Sequence, residues 1–395
     1  MAAQPHSGST DARRRRLLLV AAAGVAVLVA VTVVLTGWLE PGRQGPAAAV
    51  TTGTPVTLPS LAPAQLAGQR VVYSYKGPTP PSTLLWLIRH GRAAGVVFFA
   101  DNIRSRAQLR AAVRALDLAD KSSGNPIRAP LLLMTDQEGG QVRRLSGEPV
   151  LSEQQIGQAA DPPTAATAAG AGAAANLVDV GLNVDLAPVL DVERTASGFI
   201  GRYGRSYGKE PAVVSALGTD FIAALQKGGV AATAKHFPGL GAATRTQDTD
   251  AGAVTLGLTA GRIRGFDEVP YRAAIADQVK LVMVSWAIYP TLAPRRPAGL
   301  AKAVVQGELR TRLGFQGVTV TDALEAGALR SFGPIGRRAT LAAAAGMDLV
   351  LCSHGQVGEG QAALAGLRAG YVGGTLDKAS FEAAVERIVA LRESL

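Results

Sequence analysis

Short apolar runs alternate with longer amphipathic stretches along most of this chain. From residue 67 onward the runs are Arg70–Tyr75, Val96–Ala100, Pro130–Asp136, Asn183–Val189, Val230–His236, Lys280–Ala287, Gly317–Asp322 and Met347–Cys352. They are near-continuously apolar rather than alternating, the pattern of strands covered on both faces. Between them, Arg106–Leu118, Pro163–Val180, Pro211–Lys227, Tyr271–Asp277 and Ala301–Leu313 carry helical spacing. Eight strands alternating with helices predict an α/β fold, a (β/α)8 TIM-like barrel, over residues 67–395. A doubly wound open sheet is the rival. No Gly-x-Gly-x-x-Gly turn follows the first strand, which counts against it.

The N-terminal stretch follows a different pattern. Arg13 to Arg16 form a basic block at the end of residues 1–16, and Leu17 to Leu39 then runs 23 residues without a charge. At about 1.5 Å per residue that helix reaches roughly 34 Å, enough to cross a hydrocarbon core of roughly 30 Å. The Arg block predicts a cytoplasmic N-terminus and an exported remainder. An uncleaved transmembrane anchor at 17–39 is the expectation. A cleaved secretory signal is its rival, although the nearest small-residue site, Ala47-Ala48-Ala49, lies well beyond the apolar run. Residues 40–66, rich in Pro, Gly, Ala and Thr, read as a linker.

Composition narrows the chemistry. Hydrophobic residues make up 48% and charged residues 18% of the 395, which excludes a disordered chain. The single cysteine, Cys352, excludes an internal disulfide, a Cys-based zinc site and a lipidated cysteine after the apolar run. No nucleotide or metal motif is present, so no cofactor is implied. The net charge is +10, mostly from Arg. Residues 1–50 hold five Arg against Asp11 and Glu40, a share of +3, which leaves +7 on the remainder. A basic exported domain suits an anionic envelope and has no nucleic acid to meet.

Polar residues interrupt the apolar runs at one end. Asp136, Lys235, His236, Ser285 and Asp322 fall at the ends of their strands, and Asp191, Ser353 and His354 fall just past theirs. A lone Asp after a strand is commonly a helix cap. Residues at successive strand ends of a barrel instead converge on its C-terminal mouth, where this fold carries its active sites.

The residues around these positions resemble glycoside hydrolase family 3. The run from Asp136 to Arg144, D-Q-E-G-G-Q-V-R-R, is similar to the family's D-Q-E-G-G-x-V-x-R signature, closest to its single-domain β-N-acetylhexosaminidase branch. Four further segments follow in the family's order: Asn183–Val192, Gly204–Gly208, Lys235–Gly239 and Gly317–Leu324. The resemblance implies retaining hydrolysis of terminal β-linked N-acetylglucosamine: one carboxylate attacks the anomeric carbon while a second group protonates the leaving oxygen. It assigns Asp322 as nucleophile. It assigns Asp136, Arg144, Arg205, Lys235 and His236 to sugar binding, and their donors and acceptors suit hydroxyls and an acetamide. Glu138 and Asp191 then serve to orient the cations. Gly139 and Gly140 permit a tight turn after the strand.

One loop departs from the family. After K-H-F-P-G the usual chain continues H-G, four residues, then Asp-Ser-His, whose His is the general acid/base. Here Lys235–Gly239 is followed by Leu240-Gly241, six residues, then Asp248-Thr249-Asp250. Three readings stay open. Asp250 is the acid/base, with its pKa raised by its surroundings; or Asp248 is, with Asp250 as the like charge; or the function is lost. Such a loop could be mobile and complete the site only on closure.

The expected protein is therefore an exported β-N-acetylglucosaminidase tethered to the bacterial cell membrane and acting on peptidoglycan fragments. A catalytically impaired wall-sugar module and a β-glucosidase of the same family are the alternatives. A Schiff-base aldolase using Lys235 is a fourth class, which requires a near-neutral amine. Trp286 suits either a sugar platform or the core. His354 is a candidate pocket residue, Cys352 a core thiol and His90 a solvated helix end.

Overall fold

The computed structural model describes residues 60–395. The Arg13–Arg16 block, the 17–39 span and residues 40–59 of the linker lie outside the described residues. Among the described residues no helix is long and apolar enough to cross a membrane.

Eight parallel strands close into a barrel: β1 (Val71–Tyr73), β2 (Gly95–Val97), β3 (Leu132–Thr135), β4 (Val184–Asp185), β5 (Ala231–Phe237), β6 (Leu281–Val284), β7 (Val318–Ala323) and β8 (Leu349–Leu351). Each pairs with its neighbours in sequence, and β8 closes on β1 through Val71–Val350 and Val72–Leu351. All eight coincide with the apolar runs, and the (β/α)8 expectation holds for the described residues. Six of the observed strands are shorter than their runs; β5 and β7 are as long as theirs and shifted by one residue. In the fourth, Pro188 has no N–H to donate, and the chain rejoins the sheet only at Val189, opposite Lys235.

Two apolar layers explain why the runs are continuous. Val72, Val97, Leu132, Met134, Val184, Ala231, Leu281, Met283, Val318, Val320 and Leu349 fill the barrel interior. Their neighbours Val71, Tyr73, Val96, Leu133, Val282 and Val284 pack outward against the helices. A strand buried on both faces has no position for a polar residue until it leaves the sheet. The helices Arg106–Asp120, Pro162–Val180, Pro211–Lys227, Val269–Ala276 and Ala303–Arg312 form where the spacing predicts them. Two of them cross closely at Gly170, where an added Cβ would lie 2.3 Å from the carbonyl oxygen of Phe221.

A short helix, Pro63–Gly68, buries Leu66 and Ala67 at the end of the segment read as linker. The C-terminal helix Lys378–Glu393 brings Ile388 and Leu391 against the floor of the interior layer. A two-stranded hairpin, Gln137–Gly139 with Val142–Arg143, follows β3. The periodicity of the sequence did not reveal it, because its strands are two and three residues long.

Candidate active site

Strand parity places the polar residues. Met134 of β3 points into the barrel, so Asp136, two residues on, points the same way. The same step carries Val320 to Asp322 on β7 and Leu351 to Ser353 after β8. Asp136, Arg144, Arg205, Lys235, His236, Asp250, Asp322, Ser353 and His354 line one cavity of about 340 Å³ at the C-terminal mouth. Leu186, Met283 and Leu351 from the interior layer also line it. A larger cavity, about 440 Å³, opens among Arg70, Lys302 and Arg387 at the other end, so size does not mark the site.

The turn after β3 is built around Gln137. Its backbone N–H donates to Asp185 at 2.9 Å. Its amide nitrogen donates to the carbonyls of Leu145 and Glu148, and its amide oxygen accepts from the backbone N–H of Arg144 and Leu145. This one buried side chain shapes the loop that carries Arg144. Gly139 and Gly140 adopt φ of 106° and 54°. A Cβ on Gly139 would fall 2.1 Å from the Leu151 carbonyl oxygen, so the turn needs glycine there.

Arg205 reaches the cavity from the loop after β4. Ser206 donates to the carbonyl of Asp191 at 2.7 Å, and Tyr207 is buried, which anchors the segment and leaves Arg205 free to turn inward. Arg205 then grips Glu138 with two parallel bonds of 2.7 Å. Lys235 joins Glu138 at 2.7 Å and Asp136 at 2.9 Å, and Arg144 meets Asp136 at 3.2 Å. Arg144, Asp136, Lys235, Glu138 and Arg205 thus form a chain of alternating charge. Glu138 fills the orienting role expected of it.

This chain sets the protonation of its members. Burial alone would raise the carboxyl of Asp136, but Lys235 and Arg144 hold it well below the usual range. Glu138 is likewise pushed up by burial and held down by Arg205 and Lys235. Burial lowers the Lys235 ammonium, but Asp136 and Glu138 outweigh it and the net shift is upward. Lys235 is a fixed cation, which removes the neutral amine that Schiff-base chemistry requires.

His236 donates or accepts through Nδ1 with Asp191 at 2.7 Å, and the other Asp191 oxygen accepts from the backbone N–H groups of His236 and Leu240. Asp191 therefore orients an imidazole rather than the lysine or arginines. Asp322 lines the cavity with one oxygen accepting from the Ala323 N–H at 2.7 Å. Behind it, Trp286 is fully buried and donates to the Ala323 carbonyl at 2.8 Å. Trp286 is a core residue supporting the β7 end and is not a sugar platform. Ser285 also stays out of the cavity: its hydroxyl accepts from the Ala287 N–H at 2.9 Å within a turn.

The atypical loop brings Asp250 to the cavity and keeps Asp248 out of its lining. Asp248 accepts the Asp250 N–H at 2.9 Å, a local turn. The cavity side of Asp250 is open to solvent while protein crowds the rest of it. That loss of water is the main cause raising its carboxyl to about 6, followed by the negative charges of Asp322 and Asp248. The loop is held from three sides. Thr249 and Asp250 accept from Ala328 and Gly327, beyond β7. Gly241 and Ala243 accept from Arg194 and Phe199, beyond β4, and Val254 and Leu256 pair with Ile288. The mobile segment expected from the sequence is, in this structure, a docked one.

Several site residues escaped the sequence reading. Phe99, Val142, Phe199, Leu240 and Thr249 also line the cavity. Glu153 is buried, accepts the Val189 N–H at 2.7 Å, and is raised well above a normal carboxyl by burial and then by Glu138. Val142 is part of the Asp136–Arg144 signature, and Leu240 and Thr249 stand in the atypical loop, but at positions given no role there; Phe99, Phe199 and Glu153 stand in no motif and are brought in by the fold. Cys352 is buried as expected. His90 ends its helix at the surface, its Nδ1 2.7 Å from the Trp86 carbonyl.

Residues 69–391 match the family description "Glycosyl hydrolase family 3 N terminal domain". Among curated proteins, the chain is 44% identical over 329 residues to a protein of Arthroderma benhamiae named "Uncharacterized secreted glycosyl hydrolase", covering 83% of this chain and 93% of that one. It is 36% identical over 279 residues to a "Beta-hexosaminidase" of Stenotrophomonas maltophilia, covering 68% and 78%. Among solved structures, a family 3 β-N-acetylglucosaminidase from Paenibacillus sp. superimposes with a TM-score of 0.80 at 34% identity; the match covers 85% of this chain and 63% of that longer one. A β-N-acetylhexosaminidase from Beutenbergia cavernae gives 0.76 at 29% identity, covering 84% and 98%.

Proposed function

The chain belongs to glycoside hydrolase family 3, and on that premise we propose that it removes terminal β-linked N-acetylglucosamine from cell-wall glycan fragments with retention of configuration. Asp322 is the nucleophile that forms the glycosyl-enzyme. Asp250 protonates the leaving oxygen and then deprotonates the incoming water. Asp136, Arg144, Arg205, Lys235 and His236 bind the sugar: the alternating chain presents ionised acceptors and donors in fixed positions, so little reorganisation accompanies binding. Asp248 supports the turn that carries Asp250 and adds to the charge that raises it.

The observation that carries this reading is Asp250 itself. A family 3 loop without its histidine needs another proton donor, and the one carboxyl of that loop lining the cavity is raised to about 6. A group protonated near neutrality can give its proton to a sugar oxygen, and an Asp near its ordinary value cannot do so efficiently. Export is supported by the secreted relative and by the 17–39 apolar run behind Arg13–Arg16, which would hold the enzyme at the bacterial cell membrane as an anchor.

The test is a pH–rate profile for release of N-acetylglucosamine from a disaccharide by the wild type, Asp248→Ala and Asp250→Ala. Asp250 must be protonated for the first step, so wild-type kcat/KM falls as pH rises through about 6. Asp250→Ala loses that falling limb and about 10²- to 10⁴-fold in rate; Asp248→Ala moves the limb to lower pH and keeps it. A limb that disappears in Asp248→Ala alone reverses the two roles. Sugar binding without turnover by the wild type at any pH favours the impaired wall-binding module, and faster turnover of glucosides than of N-acetylglucosaminides favours the β-glucosidase.

A further inference from the structure

The leaving group of this reaction departs on the side of the proton donor, because the donor must touch the oxygen that leaves. In this structure one of the three elements docked against the donor's loop is the segment after β4. The backbone N–H of Phe199 donates to Ala243 at 3.0 Å, Arg194 N–H donates to Gly241 at 3.2 Å, and the Arg202 guanidinium donates to the Arg245 carbonyl at 3.0 Å. Two of these acceptors, Ala243 and Arg245, lie in the stretch of the loop that is longer than the family's pattern, and Gly241 stands just before it. The contact puts an aromatic ring at the mouth: Phe199 lines the cavity together with Asp250 and Arg205.

Phe199 is braced from behind. The Arg202 guanidinium sits 5.4 Å from its ring centroid and 4.5 Å from that of Tyr203, and the two rings meet edge to face at 6.3 Å. Tyr203 is 37% exposed, which continues the aromatic surface outward. A half-buried ring that lines the cavity and packs against Arg202 and Tyr203 is suited to the C–H face of a pyranose. None of the polar residues that bind the terminal sugar is involved.

The geometry points to Phe199 as the platform for the leaving-group sugar, so that the enzyme selects substrates whose aglycone is itself a pyranose ring. This rests on the hydrolase reading above and adds the identity of the leaving side to it. Phe199 is a specificity residue that touches substrate; Arg202 and Tyr203 position it.

Two substrates with unactivated leaving alcohols separate recognition from acid catalysis. N,N′-diacetylchitobiose releases a second N-acetylglucosamine ring as its leaving group, and methyl β-N-acetylglucosaminide releases methanol. Both need the proton donor. Phe199→Leu keeps the side chain apolar and removes the flat face. The expected result is about a five- to tenfold loss of kcat/KM on the disaccharide, chiefly through KM, with the methyl glycoside unchanged and the falling pH limb in place. Phe199→Tyr restores the disaccharide rate. Equal losses on both substrates, or no loss on the disaccharide, overturn the platform while the hydrolase reading stands. A wild type inert toward both substrates overturns the hydrolase reading and the platform with it.

Discussion

At the floor of the barrel Asp348 accepts from Arg310 and Arg387 and from the N–H and hydroxyl of Thr319. Arg70 beside it donates to the carbonyls of Met347 and Asp348. Nearby, the buried Arg392 donates to the carbonyls of Ala129 and Pro130 and to Asp120. At the mouth a comparable set of ions, Arg144, Asp136, Lys235, Glu138 and Arg205, is linked as tightly. The two ends are alike in charge and in burial, and the floor has the larger cavity. They differ in what is left over. The floor pairs Asp348 with two arginines, whereas the mouth holds two carboxylates, Asp322 and Asp250, with no cation paired to either among the described residues. A reactive site is distinguished by groups whose charge is held in place and not neutralised. Buried ion pairs as such are found equally in the frame of the molecule.

That contrast breaks most sharply at Asp322. Asp322→Asn is expected to lower kcat on an N-acetylglucosaminide by about 10⁴-fold and to leave the thermal midpoint where it is. A wild-type rate in that variant, measured after confirming its sequence and fold, removes Asp322 from the nucleophile role. At the floor the pattern inverts. Asp348→Ala strands Arg310 and Arg387 and is expected to cost about 3–5 kcal/mol of stability in a denaturant titration, while the KM of the folded fraction is unchanged. If the same variant instead raises KM with stability intact, the floor is functional and the distinction between the ends collapses.

A pH-dependent effect sharpens the comparison at the seam between frame and site. Asp185 is fully buried, and one of its oxygens is without a partner. Burial raises its carboxyl to about 8, against the bond from Gln137 and the charge of Lys235, which lower it. Its folded value lies above its unfolded value of about 4, so the folded state holds the proton more tightly. The wild type therefore loses stability as pH rises from about 4 to about 8. Asp185→Asn retains the acceptor for the Gln137 N–H and should show a shallower decline over that window. Parallel stability–pH curves for the two proteins would show that Asp185 does not supply the slope.

Much of this was legible before folding. The strands were readable because parallel strands covered on both faces admit almost nothing polar, so the run ends show where the chain leaves the sheet. Asp136, Lys235 and Asp322 were readable for the same reason: each is the first inward-facing charged residue of its apolar run. The hairpin after β3 was not readable, since two- and three-residue strands are too short to show a period. Gln137 stands between two acids with nothing in the sequence to mark its role, since its four side-chain hydrogen bonds depend on carbonyls and N–H groups brought back by the hairpin. Phe199 stood in no motif, and it reaches the cavity only because the segment after β4 docks on the loop after β5. Trp286 was ambiguous in sequence because an aromatic residue beside a strand end suits a platform and a core alike; the Ala323 carbonyl beneath its indole resolves it.

The sequence by itself determined the barrel, the end of it where the polar strand-end residues gather, and the family to which the chain belongs, because hydrophobic period and strand-end polarity are local properties of the chain. Whether Asp250 or Asp248 faces the mouth was decided only by tertiary structure. Both stand in one loop, two residues apart and chemically identical. What distinguishes them is which one lines the cavity together with Asp322, and that cavity does not exist until the chain has closed on itself.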